Sequence, residues 1–460
     1  MKAFTVREIT EAVSGKLIQG NPAAVLNRVS TDTRQINRGD LFFALAGERF
    51  DAHDFIDRAM AEEAGGLVVS RRVETGSWQG PVVLVEDTLK ALQALAGNNR
   101  KHFTGPVIGV TGSNGKTTTK DMISSVLERK YKTLKTPGNL NNEIGLPLTL
   151  LELNHDYGAA VLEMGMRAPG EIDLLAAIAL PTGAVITNIG ETHLERLGSV
   201  ENIARAKGEI LDHIDEHGFA VLNGDDRLAR GQAARCRGKV VYYGLGGDVE
   251  ISARGLSSLG EKGMSFTAVT PVGDVKINLP VPGRHNVINA LAAVGVGIKT
   301  GVPLEEIKEG LESTRLTSMR LEIIETGRAT VINDSYNANP ASVKAALQIL
   351  DDLGRERRKI AILGDMFELG RRAAEGHREV GEEAAARKVD ILVTVGTLAR
   401  EIALGAGMAE SPPAEIISFN SRSEAVSMLD KLVRQGDVVL VKGSRGMKME
   451  EITRSLEELT

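Results

Sequence analysis

Short apolar runs alternate along most of this chain with longer stretches in which apolar residues return every third or fourth position. That alternation predicts parallel strands joined by crossover helices. It falls into three blocks. In residues 1–86, strand-like runs at Asp40–Ala46, Gly66–Ser70 and Val82–Val85 surround one helical pattern, Asp54–Ala64, and predict a small α/β module. Residues 87–314 open with a helix near Leu89–Arg100 and continue with strands at Val107–Val110, Ala159–Leu162, Ala184–Thr187 and Phe219–Leu222. After Tyr243 the pattern becomes a strict polar–apolar alternation that ends at Pro280-Val281-Pro282-Gly283, so an antiparallel extension is expected, followed by a buried helix over Asn286–Lys299. Residues 315–460 alternate again, with strands at Thr330–Asn333, Lys359–Leu363, Ile391–Val395, Glu415–Phe419 and Val438–Val441, and predict a second doubly wound sheet.

One junction carries chemistry. The strand at Val107–Val110 runs into Gly112-Ser113-Asn114-Gly115-Lys116-Thr117-Thr118-Thr119, and an amphipathic pattern with Met122, Ile123, Val126 and Leu127 follows. Strand, glycine-rich turn, lysine, hydroxyl and helix together form a phosphate cradle. The glycines aim backbone N–H groups at one anion, the helix N-terminus adds its positive dipole end, Lys116 reaches the β- and γ-phosphates, and Thr117 offers a hydroxyl to Mg²⁺. The common GxxxxGK[ST] loop has glycine where Val110 stands here, so this loop is a variant.

Composition narrows the classes. At 460 residues and 42% hydrophobic content the chain is too long for one ordinary core and fits several α/β domains around a cleft. A net charge of −6 and a single tryptophan give nothing to a nucleic-acid surface, so DNA and RNA are not expected partners. Cys236 is the sole cysteine, which excludes an intrachain disulfide and suits a reducing cytoplasm. Charges interrupt the apolar pattern of the opening MKAFTVREITEAVSGK, and no apolar stretch reaches bilayer length. A cytoplasmic monomer without membrane insertion is expected.

Open parallel sheets bind ligands beyond the carboxyl ends of their strands. In the middle block this singles out Glu163, which closes Val161-Leu162-Glu163, and His193 in Thr192-His193-Leu194-Glu195. Lys207 joins them from a helix starting near Ser199. With the Thr117 hydroxyl, Glu163 and His193 suggest ligands for magnesium near a triphosphate. Taken singly, a glutamate at a strand end is ordinarily a solvated charge, a lone histidine a helix cap, and a lysine among alanines an exposed helix position.

The run Thr111–Thr119, Asn139-Leu140-Asn141-Asn142-Glu143-Ile144-Gly145, Glu163-Met164-Gly165, Thr192-His193-Leu194-Glu195, Ala206-Lys207-Gly208 and Gly283-Arg284-His285-Asn286 closely resemble the Mur ligase family of peptidoglycan precursor synthesis. In the first block, Ser30-Thr31-Asp32-Thr33-Arg34 and Gly39-Asp40-Leu41-Phe42 match that family's nucleotide-sugar-binding domain. Asp334-Ser335-Tyr336-Asn337-Ala338-Asn339-Pro340 and Leu363–Gly370 resemble the branch that adds D-alanyl-D-alanine; folylpolyglutamate synthetases and the ligase adding the third residue lack the first of these two segments.

The resemblance implies an α/β protein of three domains: a small α/β N-terminal domain over residues 1–86 that binds the UDP-sugar-peptide; a central P-loop parallel-sheet, ATPase-like domain with an antiparallel extension over 87–314; and a C-terminal Rossmann-like doubly wound domain over 315–460 that binds the dipeptide and closes over ATP. It implies ATP-dependent joining of D-alanyl-D-alanine to UDP-N-acetylmuramoyl-tripeptide through an acyl phosphate. Lys116, Lys207, His193 and Glu163 become the catalytic set, and two Mg²⁺ ions are expected. Thr117 and the phosphates would hold the first ion. Glu163, His193 and a Lys207 carbamylated by CO₂ would hold the second. Gly112, Ser113, Asn114, Gly115, Lys116, Thr117 and Thr118 would cradle the phosphates, Asn286 and Asn289 would face the adenine, and Arg320, Asp334, Tyr336 and Asn337 would close over the nucleotide. Ser30, Asp32, Thr33, Arg34, Asn139 and Asn142 would bind the sugar-peptide substrate. A different class, a nucleotide-gated switch that makes no amide, would have no use for the second metal.

Overall fold

The computed structural model describes residues 1–47 and 50–459. Among the described residues, four sheets and one short antiparallel pair, Phe4–Thr5 with Val25–Leu26, organise the chain. In the N-terminal part, Thr5 caps the helix Val6–Ala12 and Glu8 bonds back to the Thr5 amide, a reciprocal capping box. Beside it lies a five-stranded sheet in the order Lys16–Gln19, Val82–Leu84, Gly66–Val69, Leu41–Phe43, Val29–Ser30, parallel except for its first strand. Phe42 and Phe43 are both fully buried, on opposite faces, in separate apolar clusters. The helix expected over Asp54–Ala64 is shorter: a 3₁₀ turn at Ala52–Phe55 leads into Ile56–Ala61. The chain must leave the helix before Gly65, whose backbone packs so closely on Gly39 that a Cβ there would lie 2.4 Å from its carbonyl oxygen.

The central sheet is six-stranded and wholly parallel, ordered Lys239–Tyr243, Phe219–Asn223, Gly183–Ile186, Val107–Thr111, Ala159–Glu163, Thr133–Lys135. Val107–Thr111, Ala159–Glu163, Gly183–Ile186 and Phe219–Asn223 are buried throughout, as strands covered by helices on both faces must be. The expected extension is a three-stranded antiparallel sheet, Ser252–Ser258, Met264–Thr270 and Gly273–Leu279. The buried helix Arg284–Lys299 packs against Lys116–Leu127.

The third sheet pairs Glu322–Glu325 antiparallel to Ala329–Asp334. It then continues in parallel through Asp437–Lys442, Lys359–Gly364, Ile391–Val395 and Glu415–Phe419. It sits against the central part. Asn339 Nδ2 donates to Asn114 Oδ1 (2.7 Å), Thr317 donates to Asp121, His193 pairs with Glu368, and Arg372 pairs with Glu191. Among the described residues no helix is long and apolar enough to cross a membrane.

Candidate active site

The turn after Val107–Thr111 has the backbone its glycines permit. Gly112 has φ +149° and a Cβ there would lie 1.9 Å from Thr187 Oγ1; Gly115 has φ +78° and a Cβ would meet Asn289 at 2.8 Å. The first helical bond runs from the Thr119 amide to Gly115 O at 2.8 Å. The amides of residues 116–118 therefore have no helical acceptor and form the electropositive end of the helix. Ser113 and Asn114 are held by the next strand's loop: their amides donate to Asn188 O and Asn188 Oδ1, each at 2.9 Å.

Two adjoining cavities meet at this loop. The smaller, about 380 Å³, is lined by Gly115–Thr118, Asn286, Asn289, Asp334, Lys442 and the start of the helix Pro340–Leu353. The larger, about 610 Å³, is lined by Glu163, His193, Asn139, Asn142, Phe367 and Arg445. Ser113, Lys116, Arg320, Asn337, Ala338 and Asn339 line both, so the wall between them is built by the middle and third parts together.

At that wall, Thr117 Oγ1 donates to Glu163 Oε2 and Asn141 Nδ2 to Glu163 Oε1, both at 2.8 Å. The Glu163 amide donates to Thr136 Oγ1 at 2.9 Å. The carboxylate is thus fixed beside a hydroxyl, an all-oxygen pair suited to a hard divalent cation. Lys116 Nζ donates to Gly112 O at 2.7 Å, and Lys207 Nζ donates to the same oxygen at 2.9 Å. Burial pushes the Lys207 ammonium well below the usual lysine range and nearby Lys116 adds to it; burial also lowers Lys116, against the opposing pull of Glu163.

His193 caps a short helix, Leu194–Leu197, with φ +57°. Its Nδ1 lies 2.8 Å from Glu368 Oε2, close enough for an ion pair but not aligned as a hydrogen bond. Burial lowers the histidine, and Glu368 opposes that shift. His193 faces the third part of the chain, while Glu163 faces Thr117 and Lys207 faces Gly112.

Asn286 Nδ2 donates to Pro282 O at 2.7 Å and its Oδ1 accepts from Asn289 Nδ2 at 3.1 Å, so both side chains are fixed beneath the smaller cavity. His285, beside them, is pushed down to about 4 by burial. Arg320 stacks over Tyr336, guanidinium carbon to ring centre 4.2 Å, and its buried Nε has no hydrogen-bond partner. Asp334 and the Asn337 carbonyl are both held by buried Lys442 Nζ.

Ser30, Asp32, Thr33 and Arg34 line neither cavity. They form a turn after Val29–Ser30 in which Arg34 Nη2 donates to Asp32 Oδ2 at 2.7 Å, holding the Asp32 carboxyl down at about 2. Several lining residues escaped sequence reasoning. Lys442 ends an apolar strand just as Glu163 does and was open to the same strand-end rule; Arg445 and Glu191 carry no comparable signal. The loop bearing Phe367 and Glu368 is fixed from behind, where fully buried His377 accepts the Met366 amide at 2.9 Å.

The comparisons divide the chain into three parts as well. Family models match residues 25–100 (Mur ligase family, catalytic domain), 110–297 (Mur ligase middle domain) and 319–445 (Mur ligase, glutamate ligase domain). The chain belongs to the Mur ligase family. Within it, the chain is 42% identical to the UDP-N-acetylmuramoyl-tripeptide–D-alanyl-D-alanine ligase of Bacillus subtilis, covering 99% of this chain and 98% of that protein. A crystal structure of MurF from Acinetobacter baumannii superposes with a TM-score of 0.91 at 34% identity, over 100% of this chain and 99% of that one. MurF from Thermotoga maritima in complex with ADP gives 0.83 at 30% identity, over 94% and 97%.

Proposed function

We infer that this chain is an ATP-dependent ligase that joins D-alanyl-D-alanine to UDP-N-acetylmuramoyl-tripeptide, giving the pentapeptide precursor, ADP and phosphate. The observation that carries this reading is the shared wall. A nucleotide in the smaller cavity would present its terminal phosphate past Lys116 toward the larger one, where a carboxylate and an amine can meet. A carboxylate does not acylate an amine at neutral pH until it is phosphorylated, and phosphoryl transfer asks for positioning and charge neutralisation rather than a protein nucleophile. The loop amides, Lys116 and Arg320 supply positive charge on either side of that wall. Asn286 and Asn289 would face the adenine and Asp334 and Asn337 would close over the nucleotide, with Tyr336 on the side of the larger cavity. The tripeptide's uridine end would lie toward Ser30, Asp32, Thr33 and Arg34, with Asn139 and Asn142 nearer the reacting end.

Two Mg²⁺ ions would be held by Thr117 with the phosphates and by Glu163, His193 and Lys207. Among the described residues no three His, Cys, Asp or Glu side chains converge, so the phosphates and a modified Lys207 would have to complete both shells. Lys207 fits only as a carbamate, because an ammonium repels a cation whereas a buried neutral amine can add CO₂. The ions would neutralise charge on the transferring phosphoryl group. A cytoplasmic monomer acting on small molecules accords with this reading. The experiment is ADP release against a substrate panel. Turnover that requires both the tripeptide nucleotide and D-alanyl-D-alanine is expected. Turnover with a third-position amino acid or with folate and glutamate, or ATP binding without turnover, would overturn the reading.

A further inference from the structure

The linker between the last helix of the middle part, Leu304–Glu312, and the first strand of the third, Glu322–Glu325, carries Arg320. It is held in an unusual conformation. Met319 has φ +63° and Leu321 φ +47°, left-handed values on both sides of Arg320 that non-glycine residues adopt only where their surroundings impose them. Three hydrogen bonds impose them from the third part: the Tyr336 amide donates to Met319 O at 3.1 Å, the Leu321 amide to Asp334 Oδ1 at 3.3 Å, and the Met319 amide to Glu322 Oε2 at 3.2 Å.

The other anchor lies in the middle part. Asp121 is fully buried on the helix that starts at the phosphate loop, one turn after Thr117. Its Oδ2 accepts both the Thr317 amide (2.8 Å) and the Thr317 hydroxyl (2.9 Å). Its Oδ1 has no hydrogen bond but faces Lys135 Nζ at 3.2 Å and Lys120 Nζ at 3.5 Å. Lys120 Nζ in turn donates to Thr136 O (2.8 Å), and Thr136 Oγ1 accepts the Glu163 amide (2.9 Å). The linker is therefore tied through one buried carboxylate to the helix of the phosphate loop and to the strand end that bears Glu163.

We propose that Asp121 is a positioning residue: by gripping Thr317 it holds the linker in the strained form that turns Arg320 toward the nucleotide phosphates, so the third part closes in register with the phosphate loop. The inference rests on reading Arg320 as a nucleotide contact. Asp121 and Thr317 touch neither cavity and act only through Arg320.

The test uses the full chain with Thr317→Val, which removes one bond while keeping the side chain's shape, and Thr317→Ser, which restores the hydroxyl. Expected are faster amide exchange across residues 316–322 without change at the phosphate-loop helix, and kcat lower by about tenfold, the size of one hydrogen bond to a charged acceptor. The KM for the tripeptide nucleotide should stay unchanged, and Thr317→Ser should recover the loss. In an Arg320→Ala background the same Thr317→Val change should cost nothing more, since the latch then has nothing to position. Unchanged linker exchange, or a full additive loss in the Arg320→Ala background, would overturn the proposal. A wild-type chain that turns over no ATP would defeat the ligase reading instead, and the exchange measurement would still decide whether Asp121 holds the linker.

Discussion

Lys207→Met separates a lysine that is merely buried from one kept neutral for chemistry. Lys207 is 1% exposed, and its recorded bond goes to the Gly112 carbonyl that also accepts Lys116. Two ammonium groups bonded to one oxygen stand at most about 5.6 Å apart and repel by about 3 kcal/mol at an effective dielectric constant near 20. One carbonyl does not offset that repulsion together with the loss of water, so the more enclosed Lys207 is held well below the usual lysine range. Between its lowered folded value and the ordinary value of about 10.4, the unfolded chain binds one proton more than the native one. The unfolding free energy of the wild type therefore rises with pH in that window by about 1.4 kcal/mol per unit, and this contribution disappears below the folded value. Methionine has similar length and no charge. Lys207→Met should remove that one-proton slope and raise stability at the acidic end of the window by about 1–3 kcal/mol. Urea titrations of both proteins from pH 6 to about 10, followed by far-ultraviolet circular dichroism in CO₂-free buffer, measure it. Bicarbonate should then add the mass of one CO₂ to the wild type alone. Parallel pH curves for the two proteins would refute a neutral Lys207.

Other substitutions probe the cradle and its closure. Gly112→Ala drives a Cβ to 1.9 Å from Thr187 Oγ1 at a φ that alanine rarely adopts, so we expect a loss of about 2–4 kcal/mol in denaturant titration and no measurable ADP binding by calorimetry. Asn339 caps the helix Pro340–Leu353 and also bonds to Asn114 across the cleft. Asn339→Ser keeps the cap but is too short for the crossing, so stability should hold while nucleotide affinity falls about three- to tenfold; Asn339→Ala should lose about 1 kcal/mol of stability as well.

The parts of the fold that could be read from sequence are those buried on both faces. Val107–Thr111, Ala159–Glu163 and Ile391–Val395 are continuous apolar runs because helices cover them on either side, and each was predicted to within a residue or so. Thr133–Lys135, Lys239–Tyr243 and Glu322–Glu325 were missed for the converse reason. They are short strands at sheet edges, partly buried and with exposed charges at Lys239, Glu322 and Glu325, so neither a continuous apolar run nor a clean alternation marks them.

The site divides along a similar line. Thr117 and Glu163 could be placed because each sits where a regular element ends, and a strand end or helix start has a known direction. What closes the site has no such local signature. Asn114 meets Asn339 across 225 residues and Asp121 meets Thr317 across 196; Asn114 and Asn339 lie in segments the sequence singles out, but nothing in either segment says that they meet, and Asp121 and Thr317 carry no signal at all. Their importance comes from the mutual placement of two sheets whose strand ends share one cavity wall. A substitution inside one part alters that part's stability, whereas Thr317→Val or Asn339→Ser breaks a bond between the parts, keeps each part's own packing, and alters how the phosphate loop and Arg320 face one another. Thr317→Val and Asn339→Ser should therefore separate stability from turnover, and variants at Phe42 or Ile108, buried within a single sheet, should not.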